Sequence, residues 1–322
     1  MLRTTDPTQV IPVTVVETQP KGERPPVTHQ IPADRDLEWD DLPPADWRYT
    51  PESLIARGGM SKVYLARDRL LGRRVVLKVL ALQELRRRFR REAHIHAHLQ
   101  HASIPPLFDA GRFADGRCFL AIKHVKGKLL GDLAARPPAT PGELARRLNW
   151  FEQVCLAVAY AHGKQILHRD LKPANVLVSP FGRVYLIDWG LAKVKGGPDL
   201  GFEDERTADN TPLGTLAYMP PELVGRGVLR ADERADVFGL GGMLCAALTG
   251  RPVYEGTQVV EVARMAREAD TAAAVGRLAE AGVPERLVRL AERCLARLPT
   301  DRPASAVEVA RELSAHRPVV VG

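Results

Sequence analysis

The sequence predicts an α+β fold of two lobes, a small β-rich lobe followed by a larger and mainly helical one. From Tyr49 onward, short β-like runs are separated by turn residues, which is the spacing of an antiparallel meander. Beyond about Gly127, apolar residues recur at helical spacing in four segments, residues 144–162, 236–249, 258–268 and 285–297. A chain of 322 residues is long enough to bury the core of one such bilobal domain.

Both ends of the chain are predicted to lie outside this domain. Residues 1–48 are rich in Pro, Thr and charge, and proline interrupts the run "PVTVVETQPKGERPPVTHQIPADRD" too often for a helix or a central strand. We therefore expect a disordered tail there. The other expected boundaries are a domain at 49–316, with its small lobe at 49–122, a hinge at 123–127 and its large lobe at 128–316, and a C-terminal tail at 317–322.

Composition argues against several classes of protein. The longest apolar run, Val237–Thr249, is too short to cross a bilayer, and the N-terminus lacks the pattern of a signal peptide, so no membrane span is expected. A net charge of +7 would suit a nucleic-acid partner, but the arginines are spread along the chain, so none is expected. Widely spaced cysteines favour reduced thiols and a cytoplasmic location, and they are Cys118, Cys155, Cys245 and Cys294.

The small lobe begins with three predicted strands, at "SLIAR", "KVYLAR" and "RVVLKVL". A helix is predicted next, from about Leu82 to Gln100, because six residues recur at alternating spacings of three and four and so share one face. These six are Leu82, Leu85, Phe89, Glu92, His96 and Leu99. Glu92 is thereby predicted to point inward among apolar residues, where a carboxylate needs a cation.

A tight hairpin is predicted in the large lobe. Two short strands, near 176–178 and 184–187, flank "SPFGR", whose Pro and Gly suit the turn. Folding this hairpin brings Asn175 beside Asp188, and hard Mg²⁺ takes such oxygen ligands while sharing its other positions with substrate phosphates. Asp170, five residues before Asn175, would face whatever the metal ion holds.

The motif "HRDLKPANVL", which begins at His168, and the motif "DWG", which begins at Asp188, resemble the catalytic core of Hanks-type serine/threonine protein kinases, most closely the bacterial members. The resemblance extends from Tyr49 to about His316, with its motifs in the family's order. "RGGMSKVYLARD" resembles the glycine-rich phosphate loop, "VVLK" the third-strand lysine motif and "RFRREA" the helix with the paired glutamate. "GTLAYMPPE" resembles the end of the activation segment, "ADVFGLG" the start of the long buried helix and "PTDRP" the closing arginine motif.

The resemblance implies an enzyme that transfers the γ-phosphoryl group of ATP to Ser and Thr hydroxyls of proteins, itself included, with Mg²⁺ as cofactor and Mn²⁺ as the alternative ion. It implies that Asp170 orients the substrate hydroxyl and accepts its proton, and that Lys172 neutralises charge on the transferring group. It also implies that Asn175 and Asp188 hold the metal ions. The protein substrates themselves are not encoded in any local motif.

For nucleotide binding, the resemblance implies that Lys78 holds the α and β phosphates and that Glu92 orients Lys78. The remaining residues implied in the ATP site are Ile55, Ala56, Arg57, Gly58, Gly59, Met60, Ser61, Lys62 and Val63. Two glycines of the usual Gly-x-Gly-x-x-Gly pattern are replaced, by Ala56 and Ser61. Their Cβ atoms restrict close approach to phosphate, so weaker nucleotide binding is expected.

Regulation is expected on the activation segment. In similar kinases the arginine at the position of Arg169 pairs with a phosphorylated residue, and Thr207 and Thr211 are the best acceptors here. The alternative partner for Arg169 is the acidic run 203–205, which would make phosphorylation unnecessary. The residues implied to have structural or regulatory roles are Arg169, Thr215, Glu222, Asp236 and Arg302.

Several alternatives remain open from the sequence. Glu92 facing a strand lysine is also typical of a structural ion pair. A pseudokinase-like nucleotide-binding scaffold and a basic nucleic-acid-binding scaffold are the rival functions. Zn²⁺ could bind His94, His98 and His101, which share a helix face, although no carboxylate or thiol completes the set. The basic run 86–91 is more typical of a solvated helix face than of a binding patch.

Overall fold

The structure, a computed structural model, describes residues 44–58, 61–195, 211–224 and 231–314. Within these ranges an N-terminal lobe is built on a five-stranded antiparallel sheet, and a C-terminal lobe is mainly helical. The predicted bilobal α+β fold is therefore confirmed. Both ends of the chain, residues 1–43 and 315–322, lie outside the described residues.

The N-terminal sheet has the strand order β1-β2-β3-β5-β4. Its strands are β1 (Tyr49–Arg57), β2 (Ser61–Asp68), β3 (Arg73–Leu80), β4 (Leu107–Arg112) and β5 (Cys118–Lys123). The first three confirm the predicted strands. Because side chains alternate along a strand, Val75, Leu77 and Val79 of β3 pack with the aromatic residues on one face, while Leu80 packs with Phe89 on the other. Lys78 shares the second face.

The helix after β3 is shorter than predicted. A 3₁₀ turn at Gln83–Leu85 leads into α1 (Arg86–Ala97). Leu82 was placed on the inward face, but it precedes the helix, does not follow its periodicity and is 41% exposed. Of the other five residues of the predicted face, Leu85 is partly buried, and Phe89, Glu92, His96 and Leu99 are buried.

Residues 44–48 belong to the described fold, although the predicted tail extended to residue 48. The amide of Ala45 donates to the carbonyl oxygen of Arg112 at 3.0 Å. Arg48 forms ion pairs with Asp68, which is fully buried, and with Asp109, at 3.2 and 2.9 Å. These partners are distant in sequence, so a composition window does not detect them.

The C-terminal lobe is organised around α5, a helix buried along almost its whole length. The helices of this lobe are α2 (Leu130–Leu133), α3 (Pro141–Gly163), α4 (Leu213–Leu216), α5 (Glu233–Thr249), α6 (Val259–Glu268), α7 (Ala272–Glu280), α8 (Glu285–Cys294) and α9 (Ala306–Ser314). The four predicted helical segments correspond to α3, α5, α6 and α8, whereas α7 and α9 were not predicted. Within the described ranges, no helix combines the length and the apolar character needed to span a bilayer.

Short strands complete the lobe. They are β6 (Lys128–Leu129), β7 (Ile166–Leu167), β8 (Val176–Val178), β9 (Val184–Leu186) and β10 (Lys193–Val194). Strands β8 and β9 form the predicted hairpin, which the amide of Ser179 closes by donating to the carbonyl oxygen of Arg183 at 2.8 Å. Gly182 supplies the positive φ of 75° that the turn requires.

Gly250, which ends α5 with a φ of 77°, is predicted to be a sensitive position in the core. An added Cβ would lie 2.6 Å from the carbonyl carbon and oxygen of Ala135. Gly282 is the matched control, because its φ is 66° but no atom lies within 4 Å of an added Cβ. We expect Gly282→Ala to lower the free energy of unfolding by about 1 kcal/mol through φ strain alone. Gly250→Ala should lower it by about 2 kcal/mol more, because the close approach adds overpacking.

Denaturant unfolding of the two variants measures both costs. Equal losses would show that the contact with Ala135 relaxes without cost.

Candidate active site

The β8–β9 hairpin sets the positions of two oxygen-bearing side chains. Asn175 ends a 3₁₀ turn directly before β8, and Asp188 follows β9 by two residues. The amide of Ile187 donates to the carbonyl oxygen of Asn175 at 2.9 Å, so the backbone pairing continues to the point where both side chains emerge. The structure therefore brings Asn175 and Asp188 to the same edge of the hairpin.

Asp170 is the centre of a network with three other polar side chains. Its Oδ2 accepts from the Nδ2 of Asn175 at 3.0 Å and from the Nζ of Lys172 at 2.8 Å. The Nζ of Lys172 also donates to the Oγ1 of Thr215 at 2.7 Å. Both hydrogen bonds that the described residues donate to the Asp170 side chain use Oδ2, which leaves Oδ1 to accept a hydrogen bond from a further group.

The donor set at the hairpin edge fits a hard divalent cation. The amide nitrogen of Asn175 is occupied by Asp170, to whose carbonyl oxygen it also donates at 2.8 Å, so only the amide oxygen remains for another partner. The carboxylate of Asp188 is 48% exposed and opens toward solvent. One amide oxygen and one carboxylate are ligands that Mg²⁺ accepts together with phosphate oxygens and water.

The cation beside Glu92 is Lys78, whose Nζ lies 2.6 Å from Glu92 Oε1 and 3.1 Å from Asp188 Oδ1. Burial opposes the charge on Lys78, but the two carboxylates outweigh this effect and raise its pKa. Attraction to Lys78 is the largest effect on Asp188 and lowers its pKa. Burial raises the pKa of Glu92, and Lys78 offsets part of that rise. Lys78, Glu92 and Asp188 therefore form one charged cluster at the contact between the lobes.

Two residues of the site have strained backbones. Arg169 has a φ of 65° and Asp188 a φ of 61°, in the left-handed region that favours glycine. Asp236, on α5 and 1% exposed, holds the first of these turns, because its carboxylate accepts from the amides of His168 at 2.8 Å and of Arg169 at 2.7 Å. The strained turn at Arg169 is thus held in place by α5, the most buried helix of the lobe.

His162 is a residue that the sequence analysis missed. Its Nε2 lies 2.8 Å from Asp236 Oδ2, and both side chains are buried. Burial opposes ionisation of Asp236, but the hydrogen bonds from His162 and from the backbone amide of Arg169 help to keep its pKa below the usual value. A histidine near the end of the predicted helix 144–162 was the available signal, but only the fold brings it to Asp236.

Glu222 and Arg302 form a bidentate ion pair in the C-terminal lobe. The two distances from the guanidinium of Arg302 to the carboxylate of Glu222 are 2.6 and 2.9 Å. The Arg302 side chain is fully buried, and its other donors bind the carbonyl oxygens of Ala296, Arg234 and Arg297. Because every donor is satisfied, this arginine can be buried without loss, and it ties Glu222 to the end of the domain.

The β1–β2 hairpin carries the residues predicted to bind nucleotide. Gly59 and Met60 lie outside the described residues, and Ile55 is 53% exposed. Val63 pairs directly with Lys78, so the second strand of this hairpin runs beside the lysine. Ser61 is buried, and its carbonyl oxygen accepts from the amide of Gly58 at 2.9 Å. The other predicted residues of this set, Ala56, Arg57 and Lys62, are exposed.

Of the two predicted phosphorylation sites, Thr207 and Thr211, only Thr211 lies within the described residues. Thr207 lies outside the described residues. The activation segment was predicted at 188–222, and Thr211 is the first residue described after its gap at 196–210 and is 6% exposed. In this conformation its hydroxyl is therefore not open to a second protein.

The zinc alternative is wrong for the described part of the chain, where no group of three His, Cys, Asp or Glu side chains is placed to hold a metal ion. The Nδ1 of His98 instead bonds to the carbonyl oxygen of His94 at 2.7 Å. His101 packs on Tyr160 with ring centroids 5.2 Å apart. The side chains of His98 and His101 thus have local structural contacts.

Comparison with known proteins gives one family for most of the chain. The family model described as "Protein kinase domain" matches residues 49–317. The chain is 35% identical to the serine/threonine-protein kinase PrkC of Bacillus subtilis, over 70% of the chain and 34% of that protein. It is 34% identical to the kinase pkn3 of Myxococcus xanthus, over 84% of the chain and 50% of that protein. It is also 34% identical to the kinase PknL of Mycobacterium tuberculosis, over 84% of the chain and 66% of that protein. The chain thus spans about one third to two thirds of the length of these relatives.

His96 is predicted to make the stability of the domain sensitive to acid. Burial lowers the pKa of His96 from 6.5 to about 4, and the nearby charges on Lys78 and Asp188 act in opposite directions. The unfolded chain therefore binds a proton between these two pH values and the folded chain does not. Stability from this group is complete above pH 6.5 and is lost as the pH falls toward 4, by about 3 kcal/mol in total.

Denaturant unfolding of the wild type and of His96→Gln at several pH values measures this contribution. The difference in pH dependence between the two proteins should amount to that loss. Parallel profiles would show that His96 does not titrate in this range.

Proposed function

The chain belongs to the protein kinase family, and from this premise we propose that it transfers the γ-phosphoryl group of ATP to serine and threonine hydroxyls of proteins. The observation that carries the proposal is the Asp170 network, in which Lys172 and Asn175 donate to the Asp170 carboxylate and Lys172 also donates to Thr215. Beside it, Lys78 joins Glu92 to Asp188. These carboxylates, the two lysines and the Asn175 amide are groups that phosphoryl transfer uses, and this supports the proposal.

We assign nucleotide binding to Lys78, the β1–β2 hairpin and the hairpin edge. Lys78, oriented by Glu92, would donate to the α and β phosphates. Asn175 and Asp188 would hold a divalent cation, which neutralises phosphate charge when bound. We propose Mg²⁺ as that cation because the ligands are oxygens, and Mn²⁺ fits the same set. The exposed apolar side chain of Ile55 is available to pack on the base.

Asp170 would orient the acceptor hydroxyl through its Oδ1 and take its proton. As the hydroxyl oxygen bonds to the γ-phosphorus, the bond from that phosphorus to the bridging oxygen of the β-phosphate breaks, and the proton passes to Asp170. Lys172, 2.8 Å from Asp170, would stabilise the charge on the group in transit. The bond from Lys172 to Thr215 supports serine and threonine as acceptors, since this pairing is similar to that of the serine/threonine class.

We propose that phosphorylation of Thr207 or Thr211 controls the enzyme through Arg169. A phosphate adds almost two negative charges and strong acceptor oxygens, which can bond to a guanidinium and order the segment. Thr211 is 6% exposed, so its modification would require the backbone at Thr211 to move outward. We also propose a cytoplasmic location for the protein. The four cysteines support this proposal, because all four are buried free thiols.

Replacement of Asp170 by Asn is predicted to abolish the reaction, because an amide can neither accept the proton nor orient the hydroxyl in the same way. Phosphate transfer from labelled ATP to a protein acceptor, with Mg²⁺ present, should fall by at least about 100-fold. Asp115→Asn is the matched control, since Asp115 is a half-exposed carboxylate on the turn between β4 and β5. It should leave the rate unchanged.

Thermal unfolding of both variants would verify that they fold. A wild type that binds nucleotide but transfers no phosphate would favour the scaffold alternative, and a fully active Asp170→Asn would remove Asp170 from the mechanism.

The activation segment supplies a further prediction. Phosphatase treatment, or Thr207→Ala combined with Thr211→Ala, should reduce turnover at least tenfold, about 1.4 kcal/mol, because Arg169 would lose its anionic partner. Thr300→Ala, a change of an exposed threonine far along the chain, serves as the control. Turnover that is insensitive to both treatments would mean that Arg169 has only a structural role.

A further inference from the structure

His96 lies on the buried face of α1, one helical turn after Glu92, and is 4% exposed. Its Nε2 is 2.7 Å from the carbonyl oxygen of Pro105. A carbonyl oxygen can only accept, so Nε2 carries the proton and donates.

The loop that receives this bond is attached to the C-terminal lobe. The amide of Gln100 donates to the Oη of Tyr160 on α3 at 3.0 Å, and the ring of Tyr160 also packs on His101. The amide of Leu186 on β9 donates to the carbonyl oxygen of Ser103 at 2.8 Å. The acceptor of the His96 bond is therefore fixed relative to the hairpin that carries Asp188.

The acceptor is also locally stiff. Pro105 is followed by Pro106, and two successive proline rings restrict φ at both residues. The carbonyl oxygen of Pro106 accepts from the amide of Lys123 on β5 at 3.0 Å, which ties the segment to the sheet. His96 thus bonds to a rigid point at which both lobes meet.

We propose that His96 is a positioning residue whose hydrogen bond to Pro105 holds α1 in the orientation that presents Glu92 to Lys78. Glu92 and His96 are four residues apart on one helix face, so a rotation or outward shift of α1 that removes Glu92 from Lys78 also breaks the bond to Pro105. Breaking it strands an imidazole and a carbonyl oxygen away from water, which disfavours the shifted state. The catalytic consequence rests on the proposed function, whereas the structural link does not.

Acylation of Lys78 by an amine-reactive ester tests the proposal without requiring catalysis. Lys78 reacts slowly while its Nζ is held by hydrogen bonds to Glu92 and Asp188, and peptide mass spectrometry measures the rate on the full chain. We expect His96→Leu, which retains apolar volume but removes the donor, to raise the rate at least threefold. We expect His96→Gln, whose amide nitrogen can replace Nε2, to restore the wild-type rate. Glu92→Gln sets the upper limit.

His98→Leu is the matched control, because His98 is an exposed histidine at the end of the same helix and bonds to His94 rather than to the loop. A wild-type rate in His96→Leu would overturn the proposal, since packing alone would then hold the helix. Equal increases in His96→Leu and His98→Leu, or a His96→Gln rate equal to that of His96→Leu, would also overturn it. Thermal unfolding temperatures would show that each variant is folded under the labelling conditions.

Turnover provides a second test and separates this proposal from the proposed function. His96→Leu should reduce kcat about tenfold in the wild-type background and have little further effect in a Glu92→Gln background, because the two residues act through one contact. Additive effects would contradict a role through Glu92. A wild type with no transfer but with His96-dependent labelling would retain the positioning role and reject the kinase activity.

Discussion

One ammonium group joins the two lobes of this protein. The Nζ of Lys78 lies within hydrogen-bond distance of Glu92 from the N-terminal lobe and of Asp188 from the C-terminal lobe. Removing a single charge from water costs several kcal/mol, so each partner would be unfavourable alone. The placement of α1, the end of the β8–β9 hairpin and the inner face of β3 must therefore agree for the site to form. The relative position of the two lobes therefore depends on keeping Lys78 paired with a carboxylate from each of them.

A second buried carboxylate organises the C-terminal half of the site. Asp236 accepts hydrogen bonds from two consecutive backbone amides and is bonded to His162, so backbone dipoles and the His162 ring stabilise its carboxylate. This support allows Arg169 to keep a φ of 65°, which an isolated loop would avoid. The residues nearest the proposed chemistry are thus strained, while the helix that supports them is the best packed in the lobe.

The polar groups of the site differ in how much freedom they keep. Arg302 uses all its donors and is fully buried, so its pair with Glu222 has the character of a permanent brace. Asp188 is half exposed, and Asp170 directs its described side-chain bonds to one oxygen, so both retain acceptor capacity toward a ligand. His96 stands between these cases, because it is buried but bonds through one nitrogen to a loop shared by both lobes. The number of unused hydrogen-bonding groups thus distinguishes residues that hold the fold from residues that can bind a ligand.

Local pattern in the sequence was sufficient for the bilobal α+β class, the first three strands, the inward position of Glu92 and the hairpin that brings Asn175 to Asp188. These features depend on periodicity and turn chemistry within a few residues, which a single sequence displays directly. Only the tertiary structure decided that Leu82 is exposed, that residues 44–48 belong to the fold and that Pro105 accepts from His96. The pairs His162–Asp236 and Glu222–Arg302 are separated by 74 and 80 residues. A buried charge needs a partner, and in both pairs the fold supplies one from a distant part of the chain. The spacing of neighbouring residues in the sequence therefore does not predict these pairs.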